Sequence, residues 1–200
     1  MRAIFAILFS VLSIFSVDAS PQDTLKTVPK DSVLITSFTQ NRHLSSIPTP
    51  LISTGTLKLW PQKGLIWATE HSFPSTLIIS KSGLYQIENG QPKVLEKATQ
   101  SDMVFKILSA ILAGNFLKGL EGFDITLVSQ DKSQWHVKLA PQNSQIKNFI
   151  TAFSIQGHEQ IQRITICRAN GDYDDIVFTN HKIAPLKKAL SSQELRWLND

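Results

Sequence analysis

The sequence is poor in residues on which several protein classes depend. Its 200 residues include one cysteine, Cys167, and two methionines, and 18% are charged, below the usual quarter or so. A single cysteine excludes a disulfide scaffold and a cysteine-rich zinc module. With 42% hydrophobic residues, the chain is also too apolar and too weakly charged for an intrinsically disordered protein.

Long apolar runs and clusters of positive charge are also missing after the N-terminus. No run of about 18 apolar residues follows residue 19, so no later transmembrane helix is predicted. The net charge is +4, and Lys187-Lys188 is the only pair of adjacent basic residues. Because nucleic-acid binding needs clustered positive charge, nucleic acid is not an expected partner.

Residues 1–19 have the three parts of a secretory signal peptide. Arg2 supplies the positive charge, and a serine-interrupted apolar stretch runs from Ala3 to Val17. Small residues then predict cleavage near Ala19, before Ser20. We therefore expect residues 20–200 to form one exported domain. A retained membrane anchor is the alternative, and no cysteine follows the cleavage site for lipid attachment.

After Ser20 the hydrophobic pattern has mostly a period of two, which predicts β-strands. Asn89-Gly90 and Asn170-Gly171 are typical of tight hairpin turns between such strands. We expect a mainly β (α+β) fold, one large antiparallel sheet, curled or closed, with a few helices, and no βαβ alternation. The predicted strands cover residues 32–42, 53–60, 65–70, 75–80, 83–88, 123–127, 135–139, 149–156, 161–168 and 173–179.

One segment breaks this period and predicts a helix over residues 101–112. Ser101-Asp102 can cap its start, and Gly114 can end it. Apart from Lys106 and Ser109 the segment has almost no polar face, so it must be covered on most sides. A helix lying across the mouth of a curled sheet meets this demand. Shorter helices are expected at 21–28, near 143–148 and at 191–198.

Motifs for catalysis and for metal binding are incomplete. His158-Glu159 lacks the second histidine of a zinc motif, because position 162 is Gln162. The acidic residues Asp172, Asp174 and Asp175 lack the closing glutamate of a calcium loop and are interpreted as an exposed turn. No Gly-x-Ser-x-Gly elbow is present. We therefore expect neither an enzyme nor a metal or cofactor site.

Inward-facing apolar groups on a curled sheet, with an apolar helix over it, permit two interpretations. One is a cavity for an apolar ligand such as an acyl chain, and the other is a filled core.

An ordered series of short motifs resembles the LolA family of periplasmic carriers of outer-membrane lipoproteins. The series covers residues 38–180 in the family's order. Each motif alone is unspecific, so the resemblance depends on the order in which the motifs follow one another along the chain. The motifs are Phe38-Thr39-Gln40, Gly55-Thr56-Leu57, Pro61 with Gly64-Leu65-Ile66-Trp67, Phe73-Pro74 with Leu77-Ile78-Ile79-Ser80, Gly83-Leu84-Tyr85, and Trp135 to Pro141.

The resemblance implies an incomplete barrel with a helical lid, in which residues 103–112 are lid material. It also implies a periplasmic carrier that takes lipoprotein acyl chains from an inner-membrane donor complex to an outer-membrane acceptor, and we expect a monomer. The chain departs from the family at Trp60, which precedes Pro61 where the family usually has a latching arginine. The segment 101–112 and the spacing at 45–51 resemble divergent relatives, whose cargo can be another acylated lipid or a polyene lipid.

We therefore predict a carrier that binds acyl chains in a hydrophobic cavity and moves them toward the outer membrane. The alternative is a periplasmic protein-binding or assembly module that uses the concave sheet without transporting lipid. The residues predicted to line the cavity are Trp60, Trp67, Leu77, Ile79, Leu84, Phe105, Leu108 and Leu112.

Overall fold

The computed structural model describes residues 24–116, 120–131 and 134–199, with side chains described outside residues 96–104. The predicted signal peptide at 1–19 lies outside the described residues. None of the helices in these ranges combines the length and the hydrophobicity needed to span a bilayer.

The described residues form one antiparallel sheet of eleven strands. Two meanders make up the sheet, and pairing of the first strand with the last joins them. In order across the sheet the strands run β6-β5-β4-β3-β2-β1-β11-β10-β9-β8-β7. Their bounds are β1 (Ser32–His43), β2 (Leu51–Trp60), β3 (Gly64–His71), β4 (Ser75–Ser80), β5 (Gly83–Glu88), β6 (Gln91–Lys97), β7 (Phe123–Gln130), β8 (Trp135–Pro141), β9 (Ile150–Gly157), β10 (Ile161–Arg168) and β11 (Tyr173–Pro185).

The sheet has two free edges, β6 and β7, so it curls without closing. The predicted incomplete, curled antiparallel fold is confirmed. Strand β6 was not predicted, because Pro92 and charged residues interrupt its pattern. Among the described strands it pairs only with β5, and a proline is tolerated at such an edge, where one side of the strand needs no hydrogen bonds.

Four helices accompany the sheet in the described ranges: α1 (Ala98–Leu112), α2 (Ser144–Lys147), α3 (Leu186–Ala189) and α4 (Ser192–Asn199). The predicted helix at 101–112 is present and begins three residues earlier. Of the helix expected at 21–28, Thr24 is helical, residues 25–28 have no regular secondary structure, and residues 21–23 lie outside the described residues. Instead Val28 donates its backbone N–H to the Ala113 carbonyl, which ties this segment to the end of α1.

The two faces of the sheet pack against different partners. Alternation in β3 places Leu65 and Trp67 on the concave face, in the main core that includes α1. It places Ile66 on the convex face, where a smaller core includes residues of α3 and α4 such as Leu198. Both faces of the sheet centre are therefore covered, and a residue's parity along a strand decides which core it enters.

Helix α1 closes one end of the curled sheet. It packs against β3, β4, β5 and β6. Ser109 donates a hydrogen bond to the Pro61 carbonyl in the β2–β3 turn (3.3 Å). We call this the closed end, and the opposite end, formed by loops 44–50, 72–74 and 169–172, the open end. The Arg42–Leu51 and His43–Tyr173 register pairs fix the strand termini at the open end.

Candidate functional site

A cavity of about 610 Å³ lies between the concave face and α1. Cavities of roughly 300–1,000 Å³ are typical of small-molecule sites. Leu108 and Leu112 of α1 lie at its inner limit, towards the closed end, whereas Arg42, Phe73 and Arg168 belong to the open end. The cavity therefore extends from α1 to the open end of the sheet, and we call its opening at that end the mouth.

Six of the eight side chains predicted to line the cavity do lie on it. Strand register explains the grouping: Trp67 is opposite Leu77, and Ile79 is opposite Leu84. Residues opposite each other on adjacent strands project from the same face of the sheet, so the two meander turns bring these four side chains together. The six are Trp67, Leu77, Ile79, Leu84, Leu108 and Leu112.

The structure does not bring the other two, Trp60 and Phe105, to the cavity. Leu57 and Leu59 enter the concave core, so the next residue of β2, Trp60, projects from the convex face. There its indole N–H donates a hydrogen bond to the Lys30 carbonyl (3.0 Å). Trp60 therefore does not close the mouth of the cavity. Phe105 is only 2% exposed within the packed core between α1 and the sheet.

Six of the 21 residues that line the cavity come from β10 and β11, two strands that the sequence analysis did not assign to it. The alternation in β10 and β11 was a sufficient signal for their inward faces. What was missing was the pairing of β11 with β1, which brings the C-terminal meander beside the N-terminal one. Their lining residues are Ile164, Ile166 and Arg168 of β10, and Asp174, Ile176 and Phe178 of β11.

A charged cluster, which we call the arginine–aspartate cluster, lies at the mouth of this otherwise mainly apolar cavity. The side chain of Asp174 is 2% exposed. Its Oδ1 accepts hydrogen bonds from Gln40 Nε2 (2.8 Å) and Arg42 Nε (2.8 Å), and its Oδ2 accepts one from Arg168 Nη2. The interpretation of Asp174 as part of an exposed turn is therefore wrong, because cross-strand pairing with Arg42 buries it.

The cluster holds Asp174 as a carboxylate. Burial raises the pKa of this carboxyl, but hydrogen bonds from Arg42, Arg168 and Gln40 outweigh burial and leave the pKa below its usual value. Two guanidinium groups therefore face one carboxylate. Their side chains are 47% and 36% exposed, so both remain accessible from the mouth.

Large apolar side chains are exposed around the same mouth. Phe73 is 82% exposed and has a φ of 70°, and the preceding Ser72 has a φ of 57°. Left-handed backbone at two successive residues is typical of a tight hairpin turn, although it is uncommon for a bulky side chain. The turn presents the phenyl ring at the rim. Other exposed apolar residues at this end are Ile47, Leu51, Ile52 and Phe149.

Groups with possible chemistry lie away from the cavity. His136 and Ser154 share a hydrogen bond (2.7 Å) across β8 and β9, a pair that spacing did not predict because the residues are distant in sequence. Both have the parity of the convex face, and neither lines the cavity. Within the described residues no group of three His, Cys, Asp or Glu side chains could hold a metal ion.

Comparisons with known proteins find solved structures to which this chain is similar at low sequence identity. No family model and no curated protein matches the sequence. A LolA superfamily protein from Nitrosomonas europaea matches with a TM-score of 0.46 and 11% identity, over 82% of this chain and 92% of that one. LprF from Mycobacterium bovis matches with a TM-score of 0.35 and 11% identity, over 80% and 87%.

A third solved structure, the MucA/MucB complex of Pseudomonas aeruginosa, matches with a TM-score of 0.41 and 9% identity. The match covers 82% of this chain but only 57% of that one. A LolA superfamily protein is thus among the solved structures to which this chain is similar.

Proposed function

We propose that this protein is a periplasmic carrier that binds the acyl chains of a lipoprotein or of another acylated lipid. The observation that carries the proposal is the cavity of about 610 Å³, lined by the apolar residues Leu108 and Leu112 of α1 and by side chains of seven strands. An acyl chain matches such a lining because it needs burial and no hydrogen-bond partners.

The binding energy follows from the buried methylenes. Each buried CH₂ group contributes about 0.8 kcal/mol, so a chain of about a dozen gives roughly 10 kcal/mol before the entropic costs of association are subtracted. This attraction has no directional component, so the lining accepts chains of different chemistry. Release requires a partner or a lid movement that favours the empty state, and Leu108 and Leu112 place α1 where such a movement would act.

Transport toward the outer membrane completes the proposal. It rests on the signal-like N-terminus, which we propose is cleaved near Ala19 to leave residues 20–200 as the mature domain. An inner-membrane donor complex would load the cavity and an outer-membrane acceptor would empty it. The mass of the exported protein tests the cleavage site, and an intact residue 1 in that protein would contradict it.

The first experiment tests lipid binding. The mature protein is purified without detergent and extracted for mass spectrometry, and a neutral apolar dye such as N-phenylnaphthylamine is titrated into the emptied protein. We expect co-purified acylated lipid and saturable dye binding that an added lipid displaces. Absence of both would refute the carrier.

Leu108→Asp provides the matching variant. It places a carboxylate at the floor of the cavity, and we expect dye binding to fall at least tenfold because burying an unpaired charge is costly. Leu127→Asp is the control, since Leu127 is 52% exposed on β7 and does not line the cavity. Circular dichroism checks that both variants keep the sheet. If Leu108→Asp is folded and binds dye like the control, α1 does not form the floor of the site.

A protein-binding module is the second candidate, and the free edge of β7 favours it. In the part of the chain that the structure describes, this strand pairs only with β8. Its residues Ile125, Leu127 and Val128 are 39%, 52% and 52% exposed. An exposed apolar edge can add a strand from a partner. Under this alternative the extraction would yield peptide in place of lipid, and Leu127→Asp, not Leu108→Asp, would abolish capture.

A further inference from the structure

We infer that the occupant of the cavity is an amphiphile with an anionic headgroup, a carboxylate or a phosphate, which Arg42 and Arg168 bind at the mouth. This inference rests on the proposed function and deepens it, because burial of an acyl chain alone leaves the headgroup unspecified.

Three adjacent strands change from apolar to polar in the same direction. β1, β11 and β10 are neighbours in the sheet, and on each of them the inward-facing residues are apolar in the middle of the strand and polar at the open end. A fatty chain with a polar end has the same polarity gradient along its length. From the inside to the mouth these residues are Phe38, Gln40 and Arg42 on β1, Phe178, Ile176 and Asp174 on β11, and Ile164, Ile166 and Arg168 on β10.

The arginines have hydrogen-bonding capacity beyond their contacts with Asp174. A guanidinium carries five N–H donors. The hydrogen bonds that join the cluster use the Arg42 Nε–H and one N–H of Arg168 Nη2. Both side chains line the cavity and are more than one third exposed. Planar guanidinium groups with free N–H donors are suited to carboxylate and phosphate.

The local charge also favours an anion. The cluster contains two guanidinium groups and the Asp174 carboxylate, which leaves one positive charge in excess at the lining. Asp172 lies near Arg168 in the β10–β11 loop, but its carboxylate accepts hydrogen bonds from the Ser45 N–H and from Asn170, and it does not line the cavity. Asp174, held by both arginines and by Gln40, keeps the two guanidinium groups side by side.

Four ligands with one chain and different headgroups test this inference: dodecanoate, dodecyl phosphate, dodecanol and dodecyltrimethylammonium. Each ligand is titrated as a competitor of the neutral dye bound to the mature protein, at concentrations at which the ligand is monomeric in solution. We expect both anions to bind at least tenfold more tightly than dodecanol, and the cation more weakly than dodecanol. The ratio of the dissociation constants of dodecanoate and dodecyl phosphate distinguishes a fatty-acid headgroup from a phospholipid headgroup. Inorganic phosphate at the same concentration should not displace the dye.

Arg168→Gln should reduce the affinity for the anions about tenfold and leave dodecanol binding unchanged. Arg42→Gln should act in the same direction, and Arg168→Lys should retain part of the preference because it keeps the charge. The matched control is Arg163→Gln: Arg163 lies on the same strand but pairs with Asp175 (3.6 Å) on the convex face. It should leave all four affinities unchanged.

The outcomes separate this inference from the proposed function. Equal binding of dodecanol and the anions refutes the headgroup site and leaves the carrier intact. Failure of all four ligands and of the dye refutes the carrier itself. An anionic preference that survives in both folded arginine-to-glutamine variants refutes the assignment to this cluster, and dodecanol binding by each variant shows whether it has kept its cavity.

Discussion

Asp174→Asn should destabilise the protein, because it removes a buried carboxylate that joins strands β1, β10 and β11. The substitution keeps the shape of the side chain but replaces a charged acceptor with an amide, half of which is a donor. Hydrogen bonds to charged groups contribute roughly 1.5–3 kcal/mol, and breaking a fully buried ion pair costs about 3–5 kcal/mol. Since Arg42 and Arg168 are partly exposed, water compensates them in part. We expect a loss of about 2 kcal/mol at neutral pH.

The pH dependence of this loss makes the test specific. The pKa of Asp174 is lower in the folded protein than its usual value, which is about 3.9 in an unfolded chain. Its contribution to stability is therefore present above about pH 4 and disappears as the pH falls through the folded pKa. The difference between the wild type and Asp174→Asn should be largest near neutral pH and shrink in acid.

Urea unfolding, monitored by tryptophan fluorescence, measures the loss of stability at neutral pH and its dependence on pH. The control is Asp175→Asn on the neighbouring position, whose carboxylate faces Arg163 at 3.6 Å on the convex side. We expect that variant to lose less than about 1 kcal/mol, because the Arg163 and Asp175 side chains are 48% and 20% exposed and solvent-accessible ion pairs contribute little. Equal stability of Asp174→Asn and wild type at neutral pH, or a difference that is the same in acid, would show that the cluster does not hold a charged Asp174.

Two further predictions concern the sheet and the cavity wall. Gly55→Ala should cost more than about 3 kcal/mol in urea unfolding, because a Cβ atom at this position would lie 1.9 Å from the Ala68 carbonyl oxygen on the paired strand; a loss below about 1 kcal/mol would contradict this contact. Trp67→Ala should weaken dye binding about tenfold through lost apolar contact area, whereas Trp60→Ala should leave dye affinity unchanged while reducing stability. The opposite result would place Trp60, not Trp67, on the cavity.

Sequence periodicity predicted the local faces of the strands well. Leu77 and Ile79 alternate with outward residues, and each lies on the cavity as expected. The same rule applied consistently would have assigned Trp60 to the convex face, since Leu57 and Leu59 occupy the concave parity of β2. The prediction that Trp60 lines the cavity depended on its position before Pro61, where the LolA family usually has an arginine, and not on the alternation of β2.

Pairing between distant strands was beyond the reach of periodicity. A period of two says which residues share a face of one strand but not which strand lies beside it. Strands β1 and β11 are separated by almost the whole chain, yet they pair along nearly their full length. This pairing brings Arg42 next to Asp174. Of the three acidic residues assigned to an exposed turn, it buries Asp174.

The amino-acid sequence by itself determined the local elements, because these depend on neighbouring residues. They are the alternating strands, the hairpin turns and one helix so apolar that other elements must cover it. The tertiary structure alone decided that α1 closes one end of the sheet, that a cavity remains beneath it, and that Arg42, Arg168 and Asp174 meet at its mouth. These features depend on which distant surfaces come together, and the free energy that selects them arises from packing and charge pairing between segments far apart in the chain.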